Sequence, residues 1–264
     1  FYGFGPNSSE SNQATFTQEI IGEEFTWELP VGRSWFIDLS HSFYGMSVNG
    51  GPITTLPSLM AAFPSVFNES SIQKGYLAHR MAVTFDDTDH PVVPRLGSYL
   101  TLSALTSQRS MGSSFTYQTY AAQMKHYYNW KGEGKYITAL YTFVQQQTGE
   151  RLPFYAQSVV GESTGLRVVG EGRYVDRGKL VATVEERIRI SQSPILRFIS
   201  ELEVSPFLDM ATVFSEPKYF DIKNLHLGPG VAFRVVLRPQ VVGTFDFVFG
   251  TEGPNFLIHV GYPF

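Results

Sequence analysis

The chain of 264 residues contains no cysteine. That absence excludes a disulfide framework, thiolate catalysis and a cysteine-ligated metal. Charge is scarce: 17% of residues are Asp, Glu, Lys or Arg, against about 25% in an average soluble domain. The net charge of −4 comes without a basic block, so no nucleic-acid footprint is present. Mean hydropathy is −0.07, and no run of about 18 apolar residues exists to form a membrane-crossing helix. The six histidines, at 41, 79, 90, 126, 226 and 259, match no metal-ligand spacing. No metal or cofactor is expected. The first residue is Phe1 and no leader pattern is visible, from which a processed or truncated chain is expected.

Aromatic residues are abundant, with 22 Phe and 14 Tyr, and apolar residues alternate with polar ones. In 18–29, Ile21, Phe25, Trp27 and Leu29 oppose Glu24, Thr26 and Glu28. The same period-two pattern, or a strand-like run with mixed faces, recurs in 34–46, 77–86, 97–106, 114–130, 135–147, 179–190, 196–214, 230–238 and 243–249. In the closing segment 255–264, Phe256, Ile258, Val260, Tyr262 and Phe264 share one face, with Leu257, His259 and Gly261 on the other. This predicts eleven strands and no amphipathic helix. Several strands reach the 9–11 residues that a tilted membrane-spanning strand needs. Their polar faces carry both signs of charge, as a wet lumen allows. Short connections (30–33, 90–96, 191–195) alternate with long ones (48–76, 148–178, 215–228). The predicted fold is all-β, an antiparallel transmembrane β-barrel in a lipid bilayer.

Four stretches then suggest a family. Phe1-Tyr2-Gly3-Phe4-Gly5-Pro6-Asn7 resembles an F-Y-G-[IL]-G-N loop. Asp86 through Leu100 resembles a D-x-R-D-x-P-x-x-P-x-x-G-x-Y-L turn. Leu166-Arg167, with Gly170 through Gly178, resembles an L-R-G-[YF] lid-loop motif and its downstream arginine. The ending, Gly261-Tyr262-Pro263-Phe264, resembles a G-x-P-F closing strand. Together these resemble the BamA/TamA superfamily of outer-membrane barrels (bacterial surface antigen family), in its barrel portion without POTRA domains.

The resemblance implies a single barrel domain over 1–264, with the loop 148–178 folded into the lumen as a lid. It implies that Arg167 pairs with Asp209 of Phe207-Leu208-Asp209-Met210-Ala211, with Glu185 nearby and Arg173 as the downstream lid arginine. It implies a non-enzymatic protein of the outer membrane that assists insertion or translocation of outer-membrane polypeptides. Its partners would be client proteins or other subunits of a barrel complex. The alternatives are a pore or structural subunit, or the barrel end of a longer protein bearing an enzyme. The chain departs from the family at Ala211, where Gly is usual, and at Val168-Val169, where Gly and an aromatic are usual. Valine resists a tight turn, so a displaced lid is expected. Glu186 falls on the predicted lipid face, which calls for a bulge or a partner. The family barrel has sixteen strands, five of them after the lid. Only six candidates precede the lid here, so upstream strands are expected from missing sequence or another chain, or the barrel is smaller, near twelve.

The remaining motifs have simpler readings. Gly161-Glu162-Ser163-Thr164-Gly165 matches G-x-S-x-G, but no helix follows, so a glycine-turned loop is expected. Asp86, Asp87 and Asp89 suit a turn clamped by side chains on backbone amides better than a cation site. Arg80, Arg187, Arg189, Arg197, Arg234 and Arg238 with Glu201, Glu203 and Asp246 form a predicted luminal charge network.

Overall fold

The computed structural model describes residues 1–71, 74–195, 198–238 and 241–264. Leu196 and Arg197, and the side chain of Phe198, lie outside the described residues. Eleven strands form one antiparallel sheet: β1 (Phe16–Pro30), β2 (Trp35–Gly50), β3 (Lys74–Asp86), β4 (Gly97–Ser107), β5 (Tyr117–Asn129), β6 (Tyr136–Gly149), β9 (Gly178–Ile195), β10 (Phe198–Phe214), β11 (His226–Arg238), β12 (Val241–Gly250) and β13 (Gly253–Val260). Between β6 and β9, β7 (Ser158–Val160) and β8 (Tyr174–Asp176) pair as a separate hairpin. Each strand predicted from alternation has its counterpart in the eleven-stranded sheet.

The burial pattern identifies the solvent on each face. Phe25, Trp27, Leu39, Phe43, Met81, Leu102, Phe233, Phe245 and Ile258 are exposed, whereas Glu185, Arg187, Glu201, Asp209, Arg234 and Asp246 are buried. A soluble sandwich would place these the other way round. Hydrocarbon outside and a polar lumen inside require this arrangement, and the fold is an antiparallel transmembrane β-barrel wall. Trp27, Trp35, Tyr128, Trp130 and Tyr136 are exposed at the short-turn end, where an aromatic girdle belongs. The sheet curls, because the turn between β3 and β4 reaches across to β9, β10 and β11. Arg187 Nη1 donates to the Pro94 carbonyl at 3.3 Å, Arg95 pairs with Glu201, and Val93 packs on Val236 and Val242.

All neighbouring strands are antiparallel, so the two edge strands of an odd-numbered sheet, β1 and β13, run in the same direction. Both start at the long-loop end, and neither edge has a second strand partner among the described residues. β1 carries Glu19, Glu23, Glu24 and Glu28, and nearly all of it is exposed.

Three sequence expectations need correction, and the alternatives open at Glu186 narrow to one. The connection 48–76 contains two short helices, α1 (Leu59–Ala62) and α2 (Pro64–Ser70). Ser58 caps the first by accepting from the Ala61 N–H, and Pro64 opens the second; both are too short for periodicity to register. The closing strand ends at Val260. Gly261, at φ +104°, takes a left-handed conformation that reverses the alternation. Tyr262 and Phe264 therefore leave the face of Phe256, Ile258 and Val260 and turn into the lumen. Phe264 stacks on Tyr141 (centroids 5.2 Å apart), and Tyr262 donates to Glu203 at 2.7 Å. Glu186 needs no bulge at its own position. It accepts from Thr138 at 2.6 Å, and Thr138 in turn accepts from the Trp130 indole at 2.9 Å. Its pairing with Thr138, close to the start of β6, puts the carboxylate near the short-turn end rather than at mid-bilayer. The irregularity in β9 lies beyond it, opposite Leu202 and Glu203. Finally, Arg80 enters no ion pair among the described residues.

Candidate functional site

Asp209 and Phe207 are two residues apart on β10, so both side chains point into the lumen. Their cross-strand neighbours leave them room: Asp209 lies beside Thr183 and Gly228, and Phe207 beside Glu185 and Gly230. A Cβ on Gly230 would stand 2.4 Å from the Phe207 ring and 2.6 Å from the Phe247 carbonyl oxygen. Glycine at 230 thus lets the Phe207 ring lie against the wall.

Arg167 descends onto this platform from the connection between β6 and β9. Its Nε and Nη2 donate to the two oxygens of Asp209 at 2.8 and 2.9 Å, a bidentate fork. Its guanidinium carbon lies 3.4 Å from the Phe207 ring centroid, a close cation–π stack. The motif F-x-D therefore supplies both a floor and a clamp for one arginine. Nη1 reaches Asp246 of β12 at 3.0 Å. Glu185 stands at 4.0 Å from Arg167 and is instead held by Arg234, at 2.8 and 2.9 Å, and by Arg187, at 2.8 Å. Thr183 also donates to Asp209 at 2.9 Å. Arg167, Asp209, Asp246 and Glu185 are all buried. A buried carboxylate is tolerable only with partners of this kind.

Arg173 lies away from this cluster. It pairs with Glu252 at 2.8 Å, donates to the hydroxyl and carbonyl of Ser8, and stacks against Tyr2 and Tyr174. It thereby joins the connection to the segment before β1 and to the turn between β12 and β13. Ser163 donates to Glu171 at 2.8 Å, and Gly165, at φ +108°, turns the loop. Asp86, Asp87 and Asp89 each accept from backbone N–H groups of their own turn: Thr88, Ser98, and Arg95 with Leu96.

Val168 and Val169 need no left-handed backbone and are buried. They pack with Val160, Leu166, Val181, Phe207, Ala232 and Val248. The wall makes space for Val168 through two glycines. A Cβ on Gly250 would stand 2.5 Å from Val168 Cγ2, and one on Gly228 would stand 3.2 Å from Val168 Cγ1. Valine in the loop is thus matched by glycine in the strands it faces, so the expected displacement has no steric cause.

Sequence reading did not assign three contributors to the Arg167 site, although it placed Asp246 in the luminal charge network. Phe207 was read only as part of a motif, although its i, i+2 spacing to Asp209 signals a shared face. Asp246 is an isolated acid among outward Phe245, Phe247 and Phe249, a sign that it faces inward alone. Asn255 of β13 donates to the Arg167 carbonyl at 2.9 Å, a contact without a sequence signal. The inner face of β13 is completed by Leu257 and His259, the latter 4.0 Å from Asp246. Phe256, Ile258 and Val260 point outward and are exposed.

Comparisons with known proteins follow the same lines. A family model described as an Omp85 superfamily domain matches residues 68–247, well over half of the chain. Among solved structures, the chain is similar to BamA from Haemophilus ducreyi lacking POTRA domains 1–3, with a TM-score of 0.71 and 15% sequence identity. The match covers 96% of this chain and 55% of that one, so the chain spans about half the length of that relative. No curated protein matches by sequence.

Proposed function

This chain belongs to the Omp85 superfamily, and on that premise we propose that it forms part of an outer-membrane barrel that assists insertion or translocation of other outer-membrane polypeptides. The connection 148–178 acts as a luminal lid. The strand β13 acts as the edge offered to an incoming client strand. One observation carries this reading: β13 has no second strand partner among the described residues, and its Asn255 is bonded to the backbone of Arg167, the residue clamped by Asp209. An unpaired strand edge in hydrocarbon is costly, and adding a strand is the direct way to satisfy it. The position of the lid and the state of that edge are thereby coupled. No nucleotide chemistry is needed, because backbone hydrogen bonds and burial of the client's apolar face drive the step.

A second reading, a pore or structural subunit, is favoured by the packing of Val168 and Val169 against Gly228 and Gly250. That packing suits a lid that stays in place. Reconstitution separates the two. The full natural protein in liposomes is offered an unfolded outer-membrane protein, and both client insertion and ion conductance are recorded. Client insertion above the rate of empty liposomes supports the first reading; conductance without insertion supports the second and overturns the first.

A further inference from the structure

We propose that the short-turn mouth of the lumen carries a binding site for carboxylates of an acidic polypeptide segment, built from Arg95, Arg189 and Arg238. These arginines come from three separate elements: the turn between β3 and β4, β9, and the last residue of β11. They converge on one carboxylate, Glu201 of β10. Arg238 Nε stands 3.1 Å and Arg189 Nη1 3.4 Å from Glu201 Oε1, and Arg95 pairs with Oε2. Three guanidiniums thus face a single acid. Widening the circle to Arg187, Arg234, Glu185 and Glu203 keeps the excess at two, five cations against three carboxylates.

Deeper in the lumen the balance is reversed, with Arg167 between Asp209 and Asp246. Within this ion-pair network arginines therefore outnumber carboxylates at the short-turn end, while Asp86, Asp87 and Asp89 of the adjoining turn are bonded to its backbone N–H groups. Arg189 and Arg238 keep 18% and 32% of their side chains exposed, so they remain in contact with solvent. Arg95 Nε and Arg238 Nη2 are buried donors with no acceptor among the described residues. Donors in that condition are unfavourable until an acceptor arrives.

The chemistry favours a carboxylate over a phosphate. The cluster already accommodates one carboxylate on its guanidiniums. Phosphate sites usually add a cradle of backbone N–H groups. Here the N–H groups of Arg95 and Leu96 are committed to Asp89. The inference does not depend on insertase activity.

The full natural protein in lipid nanodiscs is titrated against fluorescein-labelled deca-glutamate and deca-glutamine, reading fluorescence anisotropy. The glutamate peptide is expected to bind, with affinity falling as salt rises; the glutamine peptide is not. The double variant Arg189→Gln/Arg238→Gln should bind about tenfold more weakly. Glu201→Gln removes the competing acid and should bind several-fold more tightly, an increase that a purely structural role would not produce. Arg109→Gln, which alters an exposed pair with Glu150 at the opposite end, should leave binding unchanged. A heat-modifiability gel verifies folding of each variant. Equal affinity in the double variant, weaker binding in Glu201→Gln, or no binding of deca-glutamate to the parent protein would each overturn the proposal.

Discussion

Replacing Arg167 by alanine should release the lid, and the structure sets the scale of the effect. The substitution removes a bidentate pair with Asp209, a second bond to Asp246 and the stack on Phe207. Asp209 would keep the Thr183 hydroxyl; Asp246 would lose its hydrogen-bonded cation. Breaking a buried ion pair by removing one partner costs about 3–5 kcal/mol. Opening of the lid lets water reach both carboxylates and recovers part of this, so about 3 kcal/mol is the shift expected in the closed-to-open equilibrium. That corresponds to roughly a hundredfold. The chain has no cysteine, which permits a clean probe. Val169 is buried in the hydrophobic cluster between the β6–β9 connection and the wall, and Val169→Cys should react with a water-soluble maleimide only when the proposed lid opens. Adding Arg167→Ala should raise that reaction rate by about a hundredfold. Arg167→Lys keeps the charge but loses the fork, and should fall between. Labelling within twofold of the parent in Arg167→Ala would refute the view that this arginine holds the lid.

Other substitutions test the packing. Gly250→Ala should displace Val168 and lower stability by an amount typical of overpacking, about 1–3 kcal/mol, seen as a lower thermal midpoint on heat-modifiability gels, and Val168→Ala should restore it. Gly230→Ala should be harder to rescue, because one of its close contacts is the Phe247 carbonyl, which cannot be trimmed. Thr138→Val leaves Glu186 without its short hydrogen bond and should lower stability against urea in liposomes by about 1–3 kcal/mol, and Glu186→Gln should reduce that loss. Tyr262→Phe removes the hydroxyl bonded to Glu203 and should cost a similar amount in the same assay.

Much of the wall was legible because a barrel writes its two solvents into alternate residues. Phe245, Phe247 and Phe249 against Thr244 and Asp246 can be read only one way once hydrocarbon is the outer medium. The pairing of Arg167 with Asp209 was reachable through family resemblance but not through spacing, since the two residues are 42 positions apart in sequence. What the alternation hid was any place where the backbone changes hand. Gly261 turns Tyr262 and Phe264 inward, yet the residues still alternate on paper. The compensation of Val168 by Gly228 and Gly250 was hidden for a different reason. It joins a loop to two strands, and only the fold brings them together. The short hairpin β7–β8 and helices α1 and α2 lack enough residues to show a period.

The most direct test of the proposed function concerns the β13 edge. Single cysteines at 255 through 260 are paired with single cysteines along a client's terminal strand, in membranes where insertion is under way. The account predicts disulfides that follow one strand register and disappear once the client is released. A client that inserts at the normal rate without forming a disulfide to any position of β13 would contradict it.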